Sequence, residues 1–128
     1  MEIRKNIDEE TLISAENDRI RVDIVNIGEG VCGDYDPENP DDENLLRFDV
    51  YCKDPKDPAD DWREVSDASY CTNLSADVSE EMLEAAVTTL FNEYDNVADQ
   101  ILSGSSVKRL GEQLSWISAS DFEEPVKE

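Results

Sequence analysis

The chain has 128 residues, with 33 acids against 11 bases and a formal net charge of −22. An apolar fraction of 38% suffices for one domain with a modest core. That charge excludes a basic patch for gripping nucleic acid or an anionic membrane, so any electrostatic partner is expected to be basic.

The opening "MEIRKNIDEE" has no apolar run after its bases, so no signal peptide is expected. No apolar stretch approaches the ~18–20 residues of a membrane span. Cys32, Cys52 and Cys71 are odd in number and form no C-x-x-C pair. That pattern favours reduced thiols in a cytoplasmic protein over a disulfide framework.

"TLIS" and "RIRVDIVNI" read as strands. In the second, Ile20, Val22 and Ile24 alternate with Arg21 and Asp23, the period of a half-buried strand. "AEND" between them is turn chemistry, so a hairpin is expected. The pattern breaks at "GEG", and the stretch 33–44, "GDYDPENPDDEN", then carries six carboxylates and no base. "LLRFDVYCK" is another clear strand, with Leu46, Phe48, Val50 and Cys52 on one face and Arg47, Asp49 and Lys53 on the other. "DPKDPADD" must be a loop, because Pro55 and Pro58 cannot sit in a central ladder. "WREVSDASYC" reads as a further strand with weaker alternation. These spacings predict three or four antiparallel strands in a meander.

Over 79–102 the period changes. Leu83, Ala86, Val87, Leu90, Phe91, Tyr94, Val97, Ala98 and Ile101 recur at spacings of three and four, as on one face of a long helix. Ser79 or Asp77 can cap its start, and Gly104 is placed to end it. Ser106 can cap a shorter helix that turns Val107, Leu110, Leu114 and Ile117 inward. The expected architecture is a single α+β domain over 1–118, a small meander covered on one face by two helices, with a flexible acidic tail over 119–128.

Catalytic motifs are missing from the sequence. It contains no histidine, which removes the Ser-His-Asp triad and the Cys-His pair. Neither a phosphate-binding P-loop nor a dinucleotide fingerprint occurs. The acids Asp34, Asp36 and Glu38 begin like a calcium loop. The sixth and twelfth places, which need Gly and Glu, hold Asn39 and Leu45. No enzyme activity, metal or cofactor is expected. Cys52 reads as a small apolar packing residue, and Leu83, Leu90, Phe91 and Tyr94 read first as cover for the sheet.

The acids are spread over several elements and are not gathered in one tail. DNA carries one phosphate per ~3.4 Å of each strand, close to the rise per residue of a β-strand. Ordered carboxylates can therefore reproduce a phosphate array. Size, charge and clusters such as "DYDPENPDDE" and "DPADDW" make the chain resemble the small acidic inhibitors of phages and mobile elements. These are the anti-CRISPR, anti-restriction and glycosylase-inhibitor proteins. The resemblance implies a DNA-mimicking decoy that occupies the nucleic-acid channel of a host protein; it transfers no functional residue. The residues expected to meet such a partner are Asp34, Asp36, Glu38, Asp41, Asp42 and Glu43, then Asp57, Asp60 and Asp61. Tyr35 and Trp62 stand beside them as aromatic anchors. Two other readings compete. One is an accessory or scaffold protein of a mobile element that docks through its helices. The other is a halophile-type domain whose acids only hold water and salt.

Overall fold

A computed structural model describes residues 1–26, 45–65, 68–75, 78–115 and 117. The expected α+β class holds, with more strands than the sequence pattern suggests. The order is β1 (Glu2–Lys5), β2 (Thr11–Glu16), β3 (Ile20–Val25), β4 (Leu45–Cys52), β5 (Arg63–Glu64) and β6 (Tyr70–Ser75), then α1 (Glu80–Asp95), α2 (Ala98–Leu102) and α3 (Lys108–Leu114). β1 to β4 form an antiparallel meander in chain order. β5 and β6 share the far edge of β4. β5 pairs at Tyr51 and Cys52, and β6 pairs at Leu45, Arg47 and Phe48.

The β2–β3 turn forms as its residues dictate. The Asn17 side-chain oxygen accepts the N–H groups of Arg19 and Ile20 at 2.9 and 2.8 Å, closing the hairpin. β1 escaped the pattern reading because its only apolar residue inside the strand is Ile3. It forms by pairing with β2 across a turn in which Asn6 takes a positive φ of 54°. Asp8 accepts two backbone N–H groups in the same turn. Lys5 then reaches Glu84 at 3.1 Å and Glu80 at 3.5 Å, tying β1 to the first turns of α1.

The reading of 62–71 as one strand is corrected. β5 holds two residues, the Ala68 N–H turns back to the Val65 carbonyl, and β6 begins only at Tyr70. The long helix is also corrected, since Asn96 and Val97 divide it into α1 and α2. β-Branched Val97 leaves the helical region at φ −114°. Ala98 and Ile101 stay buried beyond the break, so the apolar period runs through it unchanged. Ser79 is the cap, accepting the Met82 N–H, and Gly104 ends α2 at φ 90°. Asp77, Trp116 and the tail over 119–128 lie outside the described residues.

The core lies between one sheet face and the helices. Ile13, Ala15, Ile20, Val22, Ile24, Leu46, Phe48 and Val50 meet Ala86, Val87, Leu90, Phe91 and Tyr94 there. Cys52 is free and buried among them, and burial pushes its thiol pKa up. Cys71 is disulfide-bonded, which corrects the expectation that all three thiols are reduced.

The opposite sheet face departs from the simple alternation of buried and solvated positions. Asp23 and Asp49 stand directly opposite each other on β3 and β4, yet are only 4% and 5% exposed. Like charges so placed repel. Each is answered on its own strand by an arginine two residues earlier, which the pleat puts on the same face. Arg21 grips Asp23 through two bonds of 3.1 and 3.0 Å, and Arg47 contacts Asp49 twice at 3.1 Å. The antiparallel register sets the two arginines on either side of the aspartate pair.

Candidate acidic partner-binding surface

One group of described acids lies where three segments meet at one end of the sheet. They are the β2–β3 turn, the β4–β5 loop and the end of α1. The Lys53 N–H donates to the Arg19 carbonyl at 3.0 Å, joining loop to turn. Arg19 and Asn17 then donate to Asp95 at 3.0 and 2.9 Å, joining the turn to α1. Asp95 sits at the helix end where a negative charge is disfavoured by the dipole. Burial pulls its pKa upward, but the bonds from Arg19 and Asn17 outweigh this and hold it below its ordinary value.

The β4–β5 loop is ordered by its own aspartates. Its backbone makes two successive turns, with Asp57 donating to the Asp54 carbonyl and Asp60 donating to the Asp57 carbonyl. The Asp54 carboxylate caps the Lys56 N–H, and the Asp57 carboxylate caps the Ala59 N–H. Asp60 locks the ends together. It accepts the Asp54 N–H at 2.6 Å and takes Arg63 on both oxygens at 2.9 and 2.7 Å. Proline at 55 and 58 stiffens the same segment. Asp18, Asp54, Asp57 and Asp60 consequently line one shallow concavity of about 210 Å³ with Lys53, Pro55 and Pro58.

Of the residues expected to meet a partner, Asp57, Asp60, Asp61 and Trp62 fall in this region. Asp57 and Asp61 are exposed. Asp60 is half-buried and committed to the loop lock. Trp62 is half-buried, with the Lys53 ammonium 4.6 Å and the Arg21 guanidinium 5.7 Å from its ring centroid. Asp34, Tyr35, Asp36, Glu38, Asp41, Asp42 and Glu43 lie outside the described residues. The sequence reading missed Asp18, a turn residue 36 positions before Asp54. No local pattern could have joined them, because the hydrogen bond between Lys53 and Arg19 does so.

The ion pairs are unevenly distributed. Arg4, Lys5, Arg19, Arg21, Arg47 and Arg63 are all paired to carboxylates of the chain itself. Asp18, Asp54, Asp57 and Asp61 have no base within ion-pair distance among the described residues. These four carboxylates form no ion pair among the described residues, although Lys53 lines the same concavity and Lys56 is exposed in the same loop. Among the described residues, no cluster of three ligating side chains is arranged to hold a metal ion, and no helix is long and apolar enough to cross a membrane. No protein-family model matches the chain, and neither the curated proteins nor the solved structures contain a significant match to it.

The Asp60 lock has a pH signature. The Asp54 N–H, and after it Arg63, hold the Asp60 carboxyl below its ordinary value. A carboxylate depressed in the folded state contributes stability above its unfolded pKa and loses it as pH falls through the folded one. The Asp54 amide resonance is expected to titrate with a midpoint below the ordinary aspartate value. The Asp60→Asn variant should show no such step. A midpoint at or above the ordinary value would mean that the lock does not form.

Proposed function

We propose that this protein is a non-enzymatic, acidic binding protein that occupies the nucleic-acid-binding surface of a basic partner by imitating nucleic-acid charge. In this reading it acts as the anti-CRISPR and anti-restriction decoys do. The observation that carries it is the division of charges. The arginines are largely paired inside the fold, while Asp18, Asp54, Asp57 and Asp61 form no ion pair among the described residues and sit on an ordered frame. An ordered array binds better than a floppy one, because less freedom is lost on association. Docking through the helices has less support, since Leu90, Phe91 and Tyr94 are buried against the sheet.

The test is capture of a nucleic-acid-binding protein from host extract at physiological salt, with duplex DNA as competitor. The expected result is capture, displacement by DNA and steep weakening as salt rises, because the contacts are screened. Asp57→Asn with Asp61→Asn should lower both the affinity and its salt dependence. Capture indifferent to DNA and salt would count against the decoy reading. A fold that needs high salt for stability and retains no basic protein would favour the halophile-type reading.

A further inference from the structure

We propose that Trp62 is a recognition point for an arginine side chain of the basic partner, and that Lys53 fills this point in the free protein. The inference rests on the charge-mimic reading and names one contact within it. Two cations surround the Trp62 ring, and their commitments differ. Arg21 is held by two bonds to Asp23 and also lies 4.3 Å from the Tyr51 ring centroid. Lys53 forms no ion pair among the described residues, although it shares a concavity with Asp18, Asp54, Asp57 and Asp60. Its ammonium sits instead 4.6 Å from the centre of the indole. A flexible, strongly hydrated lysine held only by a ring face is readily exchanged. A planar guanidinium is less hydrated, stacks on indole, and can use its remaining donors on a carboxylate. The exposed Asp61 carboxylate adjoins the ring in the chain.

The arrangement also matches the ligand being imitated. Proteins that grip single strands stack arginine on the faces of bases while pairing other cations with phosphates. A flat aromatic ring in the same region as carboxylates that form no ion pair among the described residues presents both elements. Trp62 would thus stand for a base where Asp57 and Asp61 stand for phosphates.

The experiment is titration of the full chain with fluorescently labelled octa-arginine at low salt. Wild type is compared with Lys53→Met, Lys56→Met and Trp62→Leu. Lys56 is exposed in the same loop and has no ring contact among the described residues, so its variant carries the same charge change without freeing the ring. Lys53→Met is expected to bind about threefold more tightly than Lys56→Met, the size of one exposed cation–π contact. Trp62→Leu should bind about threefold more weakly than wild type and keep its salt dependence. Equal affinities for the two lysine variants would overturn the assignment, whatever Trp62→Leu does to folding. If wild type still binds octa-arginine in that case, the charge-mimic reading survives and only the role of Trp62 falls. If wild type does not bind octa-arginine even at low salt, both fall.

Discussion

Arg21→Met is expected to destabilise the protein by about 2–4 kcal/mol at neutral pH, measured by urea unfolding. Asp23 is almost fully buried and faces the equally buried Asp49 across the β3–β4 ladder. Removing Arg21 strands one of these charges and leaves the pair with Arg47 alone. Breaking a buried ion pair from one side costs ~3–5 kcal/mol. The lower figure expected here reflects the partial exposure of Arg21, whose side chain is 28% accessible and therefore screened by water. The loss should be mostly orphan charge and only partly lost contact. Adding Asp23→Asn to Arg21→Met should therefore recover more than half of it. A single variant within ~0.5 kcal/mol of wild type, the range of an ordinary surface change, would show that the aspartate pair is compensated in some other way.

Gly111→Ala is expected to reverse the usual helix rule. In an exposed helix this change gains about 1 kcal/mol from propensity. Gly111 is buried where α3 packs on β6, and a methyl group there would run into the Tyr70 ring. Moving that ring aside would disturb its own contacts. It packs near Phe48 at a centroid distance of 6.2 Å, and its hydroxyl donates to the Lys108 carbonyl at 3.4 Å. Overpacking of this kind costs ~1–3 kcal/mol, so the net change should be a loss of about 1–2 kcal/mol. In a Tyr70→Ala background the same substitution should become neutral or stabilising, which a double-mutant cycle in urea would read directly. Stabilisation by Gly111→Ala in the wild-type background would mean that α3 does not seat against Tyr70.

Both predictions concern features that a single strand or helix does not display. The alternation of β3 correctly put Ile20, Val22 and Ile24 on the core face. It also put Arg21 and Asp23 on a face taken to be solvated, and burial of Asp23 opposite Asp49 depends on a register between strands that are far apart in the chain. The apolar period over 79–102 found the residues that cover the sheet. It could not find the break at Val97, because two helices lying on one sheet preserve the period. Asp57, Asp61 and Trp62 were legible as an acidic loop with an aromatic neighbour. That Asp60 would turn inward, and that Asp18 would join the loop, were not.

The sequence by itself determined the class of the fold, the positions of β2, β3 and β4, the start of α1, and the negative sign of the chain's net charge. These follow from short-range periodicity and from composition, which need no partner segment to express them. Tertiary structure decided which charges are spent and which remain. Pairing of β3 with β4 buried two aspartates behind two arginines, and closure of the β4–β5 loop on Arg63 and on the Arg19 turn ordered the others at the surface. A carboxylate is the same residue in either place. Only its neighbours across the fold determine whether its charge is paired within the protein or left exposed without an ion pair.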